Sequence, residues 1–301
     1  MTKLRIACLH GYTSNAFIFS RRCGAIRKAC KDVAEFHFIN GPHLVQPISG
    51  LGGLDGPSER EVVDETTPLE EQPRAWWRAQ DDRTYSGWDE TVEFLNAQMA
   101  ETGPWDAIMG FSQGACMTGL LAAAFEKPDR VPGLRLHRDQ TPLKFAIAIS
   151  GFRSREPRHE ALFEEKIRTP MLCVLGKEDY IVEADRSQTL TDACANVRVE
   201  WHEGGHATPS QAPWRNFFRD YIAAFAEPSA GLDWRTLAGP SDRPKGSPSS
   251  AIASANSSGA STPVLGANSS SHRRPGKSLA DAEHEEEQER LAALVGSKPT
   301  L

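Results

Sequence analysis

Gly110-Phe111-Ser112-Gln113-Gly114 is the segment of this 301-residue chain whose residue types and spacing point most directly to chemistry. A short apolar run, Ala107-Ile108-Met109, precedes it, and small or apolar residues follow, from Ala115 and Cys116 through Leu120 and Leu121. Strand, sharp turn and helix make the setting of a nucleophile elbow, in which serine sits on the strained turn and glycines let strand and helix approach closely. A serine hydroxyl is a weak nucleophile at neutral pH, so it needs a general base, and the base needs an orienting acid. One chain order for such a set is serine, acid, histidine.

Both partners are available downstream of Ser112. Residues 171–175 read as a strand, and Gly176-Lys177-Glu178-Asp179 is the loop at its C-terminal end. Asp179 is the preferred acid; Glu178 is its neighbour, and Asp185 falls inside the next helical pattern. The following strand, 197–201, runs into His202-Glu203-Gly204-Gly205-His206. Two glycines before His206 let the chain fold back over the sheet edge, which makes His206 the expected base. His202, closer to the strand, suits a structural hydrogen bond. The same five residues match the H-E-x-x-H zinc pattern, which requires both histidines on one helical face. Two glycines inside a helix cost about 1 kcal/mol each, and the segment follows a strand, so no metal and no cofactor is expected.

The first strand-like run, Leu4–Leu9, ends in His10-Gly11-Tyr12. A loop there can aim a backbone N–H at a developing oxyanion, with the second N–H supplied by the residue after the nucleophile. The expected donors are therefore the backbone amides of Tyr12 and Gln113. His10 reads as a packing residue beneath that loop.

Positioning these groups requires alternating strands and helices. Strand candidates are Leu4–Leu9, 35–39, 107–109, 145–150, 171–175 and 197–201. Helix candidates begin near Ser86 (carrying Trp88, Val92, Leu95 and Met99), after Ser112, and over 184–195 and 214–225. That alternation predicts an α/β fold with a mainly parallel sheet flanked by helices. Residues 41–75 break the rhythm, being rich in Gly, Pro and acid, and would mildly disfavour polyanionic substrates if they border the site. Phe17, Phe19, Trp76, Trp77 and Tyr85 are candidate walls of an acyl pocket, with core packing as the competing role. Residues 1–228 read as one domain. Residues 229–301 read as a low-complexity, largely disordered tail, with a short charged helix possible over 279–295 and a protein partner conceivable for it.

A formal net charge of -6 disfavours nucleic acid as a partner. No apolar run approaches the ~20 residues that span a bilayer. Met1-Thr2-Lys3 leads straight into a strand-like run, so no cleavable signal is expected. Six scattered cysteines without a C-x-x-C pair suit free thiols in a reducing compartment, the cytoplasm or nucleus.

Taken together, Leu9-His10-Gly11-Tyr12, Arg74-Ala75-Trp76-Trp77, Gly103-Pro104-Trp105-Asp106 leading into Gly110-Phe111-Ser112-Gln113-Gly114-Ala115, and the Gly-Gly-His ending at His206 resemble the FSH family. These are fungal serine hydrolases related to an animal ovarian-tumour-associated serine hydrolase, and the resemblance spans about residues 3–227. It implies an α/β-hydrolase fold, a triad of Ser112, Asp179 and His206, and hydrolysis of carboxyl esters or thioesters, often of medium or long acyl chains. Some fungal members resemble thioesterases that release polyketides from a synthase. The long tail and the acidic 41–75 segment depart from the compact family pattern. Fold alone does not entail catalysis, so a non-catalytic binding module on the same fold is the reading from another class.

Overall fold

Strands buried on both faces must be apolar along their whole length, whereas helices covering them need only one apolar stripe. A computed structural model, which describes residues 2–46, 63–226 and 231–242, shows that division of labour. Six strands, β1 (Leu4–Leu9), β2 (Ala34–Ile39), β3 (Ala107–Phe111), β4 (Phe145–Ile149), β5 (Met171–Gly176) and β6 (Val197–His202), form one sheet. All neighbouring pairs are parallel, in the order β6-β5-β4-β3-β1-β2. β3, β4 and β5 are buried at every residue. The α/β fold expected from the alternation is therefore the observed one.

Side chains of one strand alternate between two cores. On β1, Ala7 and Leu9 face the layer that holds α3 (Trp88–Thr102), α4 (Gln113–Glu126) and α5 (Ala184–Asp192). Ile6 and Cys8 face the layer of α1 (Ala16–Arg22), α2 (Gly24–Ala29) and α6 (Ala212–Ala226). The chain runs outward from β1 to β2, then returns to β3 on the other side of β1. This reversal puts the carboxyl ends of β1 and β3 at the switch point of the strand order, the place where open parallel sheets bind ligands.

Several boundaries differ from the sequence reading. β4 stops at Ile149 because Ser150 turns into the left-handed region, at φ 51°. Ser86 does not cap α3. It pairs with Arg78 in a short antiparallel ribbon, and Gly87, at φ 87°, occupies the cap position. Any Cβ at Gly87 would lie 2.5 Å from the His43 ring, so both conformation and space demand glycine. Helices α1 and α2 had no counterpart in the sequence reading. The signal for α1 is Asn15, whose Oδ1 accepts the Ile18 N–H at 2.9 Å in an N-cap bond.

Packing also continues past residue 228. Trp234 is buried against Tyr221 and Phe225 of α6. Arg198 of β6 lies over the Phe217 ring and donates to the carbonyls of Trp234 and Leu237, each at 2.6 Å. Residues 47–62 of the acidic segment, and the tail stretch 243–301 with its charged 279–295, lie outside the described residues. Among the described residues no helix is long and apolar enough to cross a membrane.

Because Trp234 closes the edge of the α6 core, Trp234→Ala should lower unfolding free energy by about 3 kcal/mol. Urea titration measures this; an unchanged midpoint would mean that residues 231–242 add nothing to the folded unit.

Candidate active site

Ser112 is placed by a steric conflict that only glycine resolves. A Cβ on Gly114 would lie 2.0 Å from the Leu9 carbonyl oxygen, and one on Gly110 would lie 2.1 Å from the Gly114 carbonyl oxygen. With both side chains absent, α4 begins directly against β1 and β3. Between them Ser112 takes φ 53° and ψ -116°, a conformation strained for any L-residue with a side chain. Its N–H donates to the Ile149 carbonyl at 2.9 Å, and its carbonyl accepts from Ala115 and Cys116 at 2.9 and 3.0 Å. The turn is thus tied to β4 and to the first turn of α4.

His206 and Asp179 meet at the ends of β6 and β5. His206 Nδ1 and Asp179 Oδ2 are 2.9 Å apart, with both side chains buried. The second carboxylate oxygen accepts the backbone N–H groups of Ile181 and Val182 at 3.1 and 2.9 Å. Burial alone would raise the Asp179 pKa. The hydrogen bond and charge of His206, with the Val182 amide, outweigh burial and hold the carboxyl below its ordinary value. An ionised Asp179 accepts a hydrogen bond from Nδ1–H, which keeps the proton on Nδ1 and leaves Nε2 as the ring's acceptor. Glu178 and Asp185 are exposed, and Asp185 lies in the first turn of α5.

The His206 ring rests on the Phe111 ring, with centroids 4.7 Å apart, and Phe111 directly precedes Ser112. Among the described residues no hydrogen bond joins the Ser112 hydroxyl to His206. Such bonds commonly tighten only when substrate is bound. Close approach again depends on glycine: a Cβ on Gly176 would lie 2.5 Å from the carbonyl oxygens of Gly204 and Gly205. His202 ends β6, accepts the Gly204 N–H at 3.2 Å and meets the edge of Trp214, so it is structural. Strand followed by loop does not form the helical face that the zinc pattern needs.

The loop after β1 is fixed by a histidine of defined tautomer. His10 Nε2 accepts the Gly41 N–H at 2.7 Å, so Nδ1 carries the proton and donates to the Gly11 carbonyl at 2.7 Å. Burial pushes the His10 pKa down to about 4. Trp76 Nε1 donates to the His10 carbonyl at 2.9 Å. Gln113 completes the clamp, its side chain accepting from the Trp76 amide and donating to the Trp77 carbonyl, each at 2.9 Å. The sequence reading used only the backbone of Gln113 and missed this side-chain role. At the first position of α4, the Gln113 N–H has no carbonyl one turn behind it, and the helix dipole adds positive potential there.

The five aromatic pocket candidates are dispersed. Phe19 packs in the opposite layer against Phe38 and Phe111, because α1 turns that face toward the sheet. Trp76 is fully buried beneath the His10 loop, and Phe17 is exposed. Trp77 stacks on Tyr85 at 4.5 Å and meets Trp88 edge-on. Of the five, only Trp77 and Tyr85 stack on one another, and both are buried in the core of the α3–α4 layer, the competing role.

A strained serine turn and a buried acid–histidine pair at the carboxyl edge of a parallel sheet are the arrangement of a serine hydrolase of the α/β-hydrolase class. The family model described as Serine hydrolase (FSH1) matches residues 1–218, and the chain belongs to that family. Esterase OVCA2 of Danio rerio is 32% identical over 234 residues, covering 74% of this chain and 97% of that protein. Esterase AGAP003155 of Anopheles gambiae is 32% identical over 238 residues, covering 75% and 80%. A Schizosaccharomyces pombe protein named dihydrofolate reductase is 31% identical over 224 residues, 73% of this chain, and the match spans about half of that relative, 47% of its length. Among solved structures, esterase PE8 aligns with a TM-score of 0.49 at 22% identity, covering 74% of this chain and 93% of that one.

Two buried histidines, His10 and His159, each have a pKa lowered by burial to about 4 from an ordinary 6.5. The unfolded chain therefore binds protons that the folded chain refuses, and stability should fall as pH drops from 6.5 toward 4. Asp179 adds a further loss only below its ordinary value of 3.8. Urea midpoints across this range should show the slope, and His159→Gln should make it shallower by up to about one proton. An unaltered slope would contradict the neutral buried form of His159.

Proposed function

We propose that the chain hydrolyses carboxyl esters or thioesters through an acyl-enzyme on Ser112. His206 Nε2 takes the Ser112 proton as Oγ attacks the carbonyl carbon. Asp179 holds the ring and stabilises the imidazolium that forms. The backbone amides of Tyr12 and Gln113 receive the oxyanion, and the proton on His206 then goes to the leaving group. Water, deprotonated by the same nitrogen, cleaves the acyl-enzyme and restores Ser112. The observation that carries this reading is the buried His206–Asp179 hydrogen bond beside a strained serine turn. The names of the insect and fish relatives as esterases support the ester class.

The preferred substrate carries an acyl group longer than acetyl. What supports this is the apolar Trp77–Tyr85 stack next to α4. All six cysteines are buried and free, which suits work in a reducing compartment such as the cytoplasm.

Ser112→Ala should abolish labelling by a fluorophosphonate probe; retained labelling would remove Ser112 from the nucleophile role. Asp179→Asn should lower kcat by about four orders of magnitude, since the wrong histidine tautomer results. Near-normal turnover would pass the acid role to a neighbour. Along a series of p-nitrophenyl esters kcat/KM should rise beyond acetate, and a maximum at acetate would defeat the chain-length reading.

A further inference from the structure

One side of the elbow carries positive charge that the reaction above does not use. After β4 the chain passes through Ser150 and Gly151, where a Cβ on Gly151 would touch Ala115 at 3.0 Å and Leu190 at 3.2 Å. The segment is therefore wedged between the first turn of α4 and α5. It delivers Phe152 and Arg155 to the same flank. The Arg155 backbone N–H donates to the Tyr85 hydroxyl at 3.2 Å, which ties this segment to the Trp77–Tyr85 stack. Tyr85 in turn lies against the Cys116 thiol, one helical turn after Ser112.

From the other side comes Arg186 of α5. Its guanidinium carbon sits 3.7 Å from the centre of the Phe152 ring, a close cation–π contact that holds the side chain flat and half-buried. Its Nε is buried and without a hydrogen-bond partner among the described residues. Burial first, and the positive charge of Arg155 second, lower the Arg186 pKa, while Cys116, Tyr85 and Asp179 act in the opposite sense. All four groups therefore lie within electrostatic reach of this guanidinium. Among the described residues neither Arg155 nor Arg186 forms an ion pair. Asp179 is already engaged by His206 and two backbone amides, and the buried Glu156 carboxylate is engaged by Arg158 and the Tyr85 amide.

A dry, unpaired guanidinium donor beside a reacting centre is costly unless something else pairs with it. We infer that Arg155 and Arg186 bind a carboxylate carried by the substrate close to its scissile ester or thioester. Two cations against the single charge of Asp179 leave one positive charge, which matches a monoanion better than a dianionic phosphate. The flat guanidinium of Arg186 suits two parallel N–H···O bonds to a planar carboxylate. This inference rests on Ser112 as the nucleophile, and a preference for a monoanion is compatible with the disfavour toward polyanions expected from the acidic 41–75 segment.

The experiment compares matched substrates that differ in one charge. The 4-nitrophenyl half-ester of adipic acid is set against its methyl adipate counterpart, with the carboxylate on the acyl side. 4-Carboxyphenyl butyrate is set against its methyl ester, with the carboxylate on the leaving group. Each kcat/KM is divided by the alkaline hydrolysis rate of the same compound. The anionic member should be favoured by about tenfold in one of the pairs, the size expected of charge-assisted hydrogen bonds. Arg155→Gln and Arg186→Gln should each bring that ratio close to one, chiefly through KM, and Arg186→Lys should restore part of it. Arg155 is exposed, so Arg155→Gln remains informative should Arg186→Gln fail to fold. Wild-type ratios at or below one in both pairs, or a ratio unmoved by Arg155→Gln, would overturn the carboxylate site. Fluorophosphonate labelling of the same preparations separates the two failures. Labelling kept with a ratio of one sinks only the carboxylate site, whereas absent labelling sinks the nucleophile on which it rests.

Discussion

Backbone approaches backbone at Gly110 and Gly114 more closely than any side chain would permit, and the proposed active site is a consequence of that contact. Carbonyl oxygens of Leu9 and Gly114 occupy the places where Cβ atoms would stand. Helix α4 consequently starts hard against β1 and β3, and the single residue left to turn the chain, Ser112, has no relaxed conformation available. Strain of this kind persists only where surrounding structure over-determines it. Here the over-determination is a buried parallel sheet on one side and an almost entirely buried helix on the other.

The same logic recurs at the other strand ends. Gly176 admits the Gly204-Gly205 loop to the end of β5, which carries His206 back to Asp179. Gly11 lets the first loop pass within van der Waals contact of Ser112 and Phe111. Polar clamps then remove the remaining freedom: His10 between Gly41 and Gly11, Gln113 across Trp76 and Trp77, and two backbone amides on Asp179. Each clamp uses a buried group whose hydrogen bonds are directional, so these clamps hold the loops around Ser112 and Asp179 in one arrangement.

Much of this was legible in the sequence because it depends on local rules. Apolar runs located all six sheet strands, and glycines flanking Ser112 and preceding His206 marked the two turns that carry the proposed nucleophile and base. Asp185 was set aside by its place in the next helical pattern, whereas Asp179 and its neighbour Glu178 are told apart only by the hydrogen bond to His206. Less legible were features set by contacts distant in sequence. Trp76 and Phe19 read equally well as pocket or core, and only the layer onto which each element folds decides between them. Helices α1 and α2 are short and lack a long apolar period, leaving Asn15 as the one sign of a start. Trp234 sits in a stretch whose composition resembles the tail that follows, so its packing against α6 shows only in three dimensions. The pairing of Arg155 with Arg186 joins a loop to a helix thirty-one positions away, and no local pattern announces it.

Covalent capture of the nucleophile examines the whole arrangement most directly. An aryl carbamate acylates a serine hydrolase and deacylates slowly, so peptide mass spectrometry can locate the adduct. The carbamoyl group should fall on Ser112, with inactivation and modification rising together in a one-to-one ratio. A stoichiometric adduct on another residue, with Ser112 unmodified and activity lost, would contradict the account.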